Sequence, residues 1–497
     1  MDKDIGTSVA RNTSIMFGAQ AVTWVSGFVL LLFLPRYLGS EDYGRLYLAI
    51  SMVMILSIII DFGGNYLIPK EVSRSKEKTS ALLVSYIGIR TVIWAICMAL
   101  LFLFSYLVEY SPVVITLIII LGISKFAEGV MKTIKGCFQG HERMEYPSLG
   151  VIAEQLFVSA AAVCALLLGA GPVTVAVIMA VGMFLNLVVC LRFLPIIVDR
   201  FPGFRISVPL KLIKESIPYF LWSVFAVIYY RIDAVMLSVF STESVVGWYG
   251  GAYRFFDIVM FLPSIMTTVL FPVFSRLTTS GDNRMSHTFQ QSLKYVIMAG
   301  IPICIFFFAF SENIIDLFYG AEEYGPSILI LKIFSVGIII VYIDFILGSI
   351  ILATDKQEKW AAVGFVAILL NVGLNYVAIP YSETLWSNGG IGAALSTLVT
   401  EAFVMVAALT MLPRRYFEGY TVSVLARGGL SGLILGGFMW ALHGSGIYWL
   451  VQIALGLILY LVTAVVLNII THREISFFKE FLTERSFLSF LTTKREM

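Results

Sequence analysis

The sequence predicts an all-α polytopic membrane protein with fourteen transmembrane helices. Three observations carry this. Hydrophobic residues fill 59% of the 497 positions, and charged residues fall to 13%, where a soluble domain carries about 25%. The mean hydropathy is +0.90. Apolar stretches of about 20 residues, the length that crosses a bilayer as a helix, recur from one end of the chain to the other. Runs such as ITLIIILGI do not alternate in polarity, which excludes the ~10-residue strands of a membrane barrel.

In chain order the expected spans are 13–34, 46–68, 80–108, 113–138, 148–169, 172–194, 217–240, 248–274, 288–310, 325–352, 360–380, 389–412, 422–442 and 447–470. The first ends in Pro35-Arg36-Tyr37. It exceeds the apolar core of a secretory signal and lacks a small-residue cleavage site, so no cleavable signal is expected. The second runs through Asp61 into Gly63-Gly64, where a helix can bend or unwind. Pro263 falls in the eighth span and Pro302 in the ninth, as breaks in otherwise apolar helices. The thirteenth carries Gly428, Gly432 and Gly436 at four-residue spacing, a pattern for close helix packing. Two further stretches, 205–216 (RISVPLKLIKES) and 473–491, are amphipathic and too charged to span; both are expected on the inner leaflet surface.

Lys and Arg in the short loops set the orientation. The loops at 109–112, 169–172, 241–247, 311–324, 380–389 and 443–446 hold none, and the first loop of the same set, 35–45, holds two, Arg36 and Arg45. The alternate set is basic, with Lys70, Arg74, Lys76 and Lys78 in one loop and Arg192, Arg200, Arg205, Lys211 and Lys214 in another. The basic set is assigned to the cytoplasm, which puts both termini inside a plasma (inner) membrane.

Charge and composition exclude other classes. Thirty-four Lys and Arg against 32 Asp and Glu leave a formal charge of +2 without a basic block, which argues against nucleic-acid binding. The five cysteines are widely spaced and form no CxxC pair, and the four histidines form no HExxH. No metal or cofactor is expected.

An internal repeat organises the chain. A shift of 203 residues superposes Gly44 on Gly247, Ala49 on Ala252, Leu67 on Leu270 and Pro69 on Pro272. Six spans separate the copies. Six is even, so the halves insert with the same orientation and form parallel repeats with a cavity between them. The expected organisation is an N-lobe at 1–200, a C-lobe at 201–412, two extra spans at 413–470, and a cytoplasmic amphipathic tail at 471–497.

Three features carry a family resemblance: RNTS…PRYLGSEDYGRLYLA at the N-terminus, YYRIDAVMLSVFSTESVVGWYGGAYR around the seventh span, and the loops FQGHERMEY and LATDKQEKW. With them the chain resembles the polysaccharide-transport flippases of the multidrug/oligosaccharidyl-lipid/polysaccharide exporter superfamily. The resemblance implies movement of a lipid-linked oligosaccharide, on a polyprenyl phosphate or pyrophosphate carrier, from the inner to the outer leaflet. Two six-helix lobes would do this by alternating access, coupled to H⁺ or Na⁺, in the company of glycan polymerase or glycosyltransferases.

Charges inside apolar spans are costly and therefore mark function. Arg90 lies ten residues past Ser80, ~15 Å into its span, and Lys125 twelve past Val113. Arg231 falls in the outer half of its span, and Arg254 and Lys332 lie six and seven residues inside an outer end. These five are the substrate-binding candidates, since an anionic headgroup needs fixed cations and Arg suits phosphate oxygens. Lys125 with Glu128 and Arg254 with Asp257 are also spaced i,i+3, so mutual neutralisation stays open for both. Asp61, Asp344 and Glu401 lack a local cation and are the ion-coupling candidates, with buried protonated carboxyls as the other reading. Two competing functions are a cation-coupled multidrug antiporter of the same superfamily and a membrane-embedded glycan polymerase or glycosyltransferase. An enzyme would need an exposed catalytic loop; the one DxD, Asp2-Lys3-Asp4, precedes the first span rather than lying in such a loop, no nucleophile motif is present, and no enzymatic activity is expected.

Overall fold

The structure, a computed structural model, describes residues 2–198, 210–280, 284–417 and 420–471, with 474 and 476. Residues 205–209 and nearly all of 473–491 lie outside the described residues, and 210–216 begin α7. Every long regular element is helical: α1 (Asp2–Asp61), α2 (Gly64–Arg74), α3 (Thr79–Leu107), α4 (Pro112–Gly140), α5 (Glu145–Leu167), α6 (Pro172–Phe193), α7 (Leu210–Phe240), α8 (Glu243–Val259), α9 (Phe261–Ser280), α10 (Arg284–Ala309), α11 (Ser311–Tyr319), α12 (Ala321–Tyr324), α13 (Ser327–Ala353), α14 (Gln357–Trp386), α15 (Gly389–Met411), α16 (Tyr420–Leu442) and α17 (Trp449–Val466).

Among the described residues, twelve helical stretches are long and apolar enough to cross a membrane. The first, 18–74, has 57 residues. Straight, it would measure ~85 Å against a hydrocarbon core of ~30 Å. Two breaks divide it. Gly39 leaves helical geometry at φ 77°. Phe62 and Gly63 take φ 47° and 73°, ending α1 at Asp61. Expected spans one and two share this stretch, and span seven falls on α7, whose side chains are only partly described.

The chain forms two compact units. The first comprises 1–258, 315–330 and 361–400; the second comprises 259–314, 331–360 and 401–497. In the first unit α1 packs on α4, α5 and α7, and α4 packs on α2, α3 and α6. Leu67, Ile68, Val72, Tyr86, Ile134 and Phe138 form a buried apolar cluster at one end of these helices. Tyr146 continues it, its ring 5.5 Å from Phe138 and 4.7 Å from Phe193.

The two copies of the sequence repeat meet within this unit. A Cβ on Gly44 would strike the Glu243 carbonyl and the Gly247 amide. A Cβ on Gly247 would strike the Ser40 carbonyl and the Gly44 amide. Adding the repeat shift of 203 to 40 and 44 gives 243 and 247, so the contact is reciprocal, as at a two-fold axis. Only glycine lets the α1 and α8 backbones approach this closely.

In the second unit α10 packs on α16, and α16 on α17. Gly428 and Gly432 admit Ile297 and Ile301 of α10, whereas Gly436 faces open space. Packing therefore accounts for two of the three spaced glycines. Pro263 divides α8 from α9. It has no N–H for the Val259 carbonyl four residues back, and the Tyr342 hydroxyl donates to that oxygen instead, at 2.6 Å. Buried Lys294 donates to both oxygens of Glu474, at 2.6 and 2.8 Å, which fastens the chain beyond α17 to α10. Partial burial raises the Glu474 carboxyl, but hydrogen bonds from Lys294, Tyr295 and Thr471 outweigh it and hold the group at about 2.

Candidate functional site

The break at Phe62-Gly63 positions the first group of charges. Arg90, on α3, has no partner along its own helix and pairs instead across helices. Its Nη2 pairs with Asp61 Oδ1 at 2.5 Å, with the two side chains 2% and 3% exposed. Its Nη1 donates to the Gly129 carbonyl and to Thr133 Oγ1, at 2.7 and 2.6 Å. Arg90 and Asp61, assigned to substrate and to ion coupling, are thus each other's partner. Sequence spacing cannot show this, because 29 residues and a helix break separate them.

Lys125 pairs with Glu128 at 2.5 Å, as the i,i+3 spacing allows. Lys132 takes the other carboxylate oxygen at 2.7 Å. Ser57 of α1 donates to Glu128 Oε1 at 3.0 Å.

Arg231 and Arg254 come together with Asp257 in a pocket of tyrosines. Arg231 Nη2 lies 3.6 Å from Asp257, at the loose end of ion pairing, and Asp257 is 34% exposed. Arg231 also donates to the Tyr47 hydroxyl at 3.4 Å and lies 5.7 Å from the Tyr253 ring centre. Arg254 sits beside Tyr43 and Asp257, near enough for both to feel its charge. The tyrosine rings are buried on the opposed faces of α1 and α8. Two guanidiniums against one carboxylate leave a net positive group. The tyrosines escape sequence reasoning because they read as ordinary apolar stripes at helical spacing; only the reciprocal glycine contact brings Tyr43 and Tyr47 beside α8.

Asp233, two residues from Arg231, does not pair with it. It accepts from the Tyr249 hydroxyl, Asn375 Nδ2 and Thr397 Oγ1, at 2.8, 2.6 and 2.7 Å. Asn375 also donates to Asn371 Oδ1 at 3.0 Å. This buried carboxylate is held by neutral donors, and the oxygens gathered round it are the donor chemistry of a hard cation.

The second unit holds the remaining candidates. Asp344 and Glu401 are buried within electrostatic range of each other. Neither Asp344 oxygen has a hydrogen-bond partner among the described residues. Lys332 makes no side-chain ion pair among them. Nor does any group of three or more His, Cys, Asp or Glu suited to a metal ion occur among them.

Helical bundles with charged groups sunk in apolar helices define a multi-pass membrane protein of the transporter class. The chain belongs to the polysaccharide biosynthesis protein family, whose model matches residues 9–278. That places it among the polysaccharide transporters of the multidrug/oligosaccharidyl-lipid/polysaccharide exporter superfamily, as its motifs lead one to expect. The MatE model matches residues 218–377. The chain is similar to the probable low-salt glycan biosynthesis flippase Agl15 of Haloferax volcanii, with 23% identity over 90% of this chain and 93% of that one. It is 22% identical to a Shigella dysenteriae protein named for O-antigen transport, over 80% of this chain and 98% of that one. The fold is shared with the lipid II flippase MurJ in an inward closed conformation, at TM-score 0.74 and 16% identity, over 92% of this chain and 98% of that one.

Proposed function

We propose that this protein is a flippase that carries a lipid-linked oligosaccharide, on a polyprenyl phosphate or pyrophosphate, from the inner to the outer leaflet. The observation that carries the reading is the net positive Arg231–Arg254–Asp257 group among buried tyrosines. It offers forked donors for phosphate oxygens and ring faces for sugar. Lys125 extends this cationic set within the same unit, Lys332 is a further substrate cation on α13, and Arg90 takes part only when its pair with Asp61 opens. Relatives named for glycan flipping and O-antigen transport support the substrate class.

The mechanism is alternating access of two six-helix lobes, 1–200 and 201–412, with spans thirteen and fourteen outside them. The reciprocal Gly44–Gly247 contact supports the repeat. The two breaks in 18–74 support two crossings there, and with α7 the total becomes fourteen. Both termini are cytoplasmic, in the plasma (inner) membrane. Transport is coupled to H⁺ or Na⁺. Asp344 with Glu401 is the first coupling group, since both are acidic side chains buried inside apolar spans, where such groups mark ion pathways. Asp233 is a second. Asp61 takes part only through its exchange with Arg90.

Export of a glycan repeat unit in cells tests the reading, with surface expression measured alongside. Arg231→Lys retains part of the activity and Arg231→Ala little, because Lys keeps the charge and loses the fork. Full export by Arg231→Ala and Arg254→Ala together overturns the site. A cation-coupled multidrug antiporter is the second reading, favoured by the MatE match over 218–377. Gradient-driven efflux of an organic cation with no glycan export would select it.

A further inference from the structure

The α4 charges not taken up by the Arg231 group form a built site. Exposed positions on α4 mark the face it turns outward: Thr116, Ile119 and Ile123. Nine residues are two and a half helical turns, so the position nine further on lies on the opposite face. Those positions are Lys125, Glu128 and Lys132. They face α1, where Ser57 bonds to Glu128 and lies 3.3 Å from Lys132. Yet the two lysines remain 19% and 23% exposed. On a helix face turned away from the lipid-like surface, that exposure is access from within the protein. Arg90, at 2% exposure, has none.

The geometry of Glu128 is specific. One carboxylate oxygen meets Lys125 and the other meets Lys132. Two oxygens on one centre, each taking one ammonium, is also what a phosphate group presents. We infer that Lys125 and Lys132 are a two-lysine clamp for one phosphate of the lipid carrier, and that Glu128 is its resident counter-anion, displaced when the phosphate binds. This rests on the lipid-linked substrate proposed above and adds Lys132 and Glu128 to its site. The resident carboxylate partners both ammoniums and offsets one of their two charges in the empty protein, where a buried unpartnered charge is costly. By competing with the phosphate it also weakens binding and speeds release.

The test uses the full-length protein in lipid nanodiscs, with farnesyl diphosphate as probe and farnesol as control, read by calorimetry. Removing one clamp lysine, in Lys125→Gln or Lys132→Gln, weakens binding about tenfold, the worth of one charge-assisted hydrogen bond. Glu128→Gln removes the competitor and tightens binding about fivefold, by the same reasoning at partial charge loss. In the Lys125→Gln/Lys132→Gln background Glu128→Gln no longer tightens it. Lys132→Gln keeps the Lys125–Glu128 pair intact, so it remains informative if Glu128→Gln does not fold. Binding of the diphosphate by Lys132→Gln with wild-type affinity overturns the inference, as does a folded Glu128→Gln that binds no tighter. If Arg254→Ala loses binding while the α4 variants keep it, the inference alone fails. If the wild type binds farnesyl diphosphate no better than farnesol, the phosphate-carrier reading fails with it.

Discussion

Arg90 and Arg231 show how differently one residue type is used in the same unit. Arg90 is enclosed and bonded to Asp61, Gly129 and Thr133, so its charge is spent on holding the break after α1 against α3 and α4. Arg231 is held by a long contact to Asp257 and a ring face, and its charge remains available. Spacing alone makes both cations look free. What separates them is contact across 29 residues in one case and the tyrosine pocket in the other, and neither is written in local sequence. The i,i+3 pair of Lys125 and Glu128 was legible because one helix determines it. At this scale His141, between α4 and α5, gives a pH test. Burial, then the charges of Lys76 and Arg143, lower its affinity for protons, and its Nε2 lies 2.9 Å from Thr79 Oγ1. A lowered folded value means the unfolded chain binds the proton more readily. The contribution to stability is therefore complete above the ordinary histidine value of about 6.5 and is lost as pH falls below it toward the folded value. Thermal unfolding in detergent should show a modest fall in Tm from pH 7.5 to 5.5 that His141→Asn flattens; an unchanged slope removes this residue from the pH response.

Among elements, the apolar segments were readable because a bilayer demands ~20 uninterrupted apolar residues, and that requirement is purely local. The interruptions were readable as Gly and Pro, but their consequences were not. Pro263 announces a break, while the Tyr342 hydroxyl that repairs it comes from α13. Gly44 and Gly247 announce a repeat, while their mutual contact depends on how α1 and α8 cross. Gly436 shares the spacing of Gly428 and Gly432, yet a Cβ there would meet nothing within 4 Å. The glycine crossing supports a mutational prediction. Gly44→Val places atoms against backbone, where no rotamer change relieves the overlap. Its α1–α8 contact must open, costing roughly 1–3 kcal/mol, the usual range for overpacking. Gly436→Val should be near neutral. Thermal unfolding of the two variants checks this, and equal Tm values contradict the crossing.

At the scale of the whole molecule the proposal concerns an orientation and a transport cycle. The proposed orientation rests on loops without Lys or Arg, the first at 35–45 excepted, alternating with basic ones, a pattern that insertion reads from the sequence. Cysteines at Lys76 and Glu109, in a background with the five native cysteines replaced, should label from opposite sides, Glu109 from outside. External labelling at Lys76 or protection at Glu109 would invert the topology. The proposed cycle was not legible beyond family likeness, because cross-helix pairs of buried charges such as Arg90 with Asp61 are not written in local sequence. Purified protein in proteoliposomes, loaded with a polyprenyl-diphosphate-linked oligosaccharide in the inner leaflet, measures the cycle directly. A glycosidase outside reads the arrival of glycan. The account predicts protein-dependent exposure, reduced by Arg231→Ala with Arg254→Ala and abolished without an H⁺ or Na⁺ gradient. Exposure no faster than in protein-free vesicles, under either gradient and with folded protein, would contradict it.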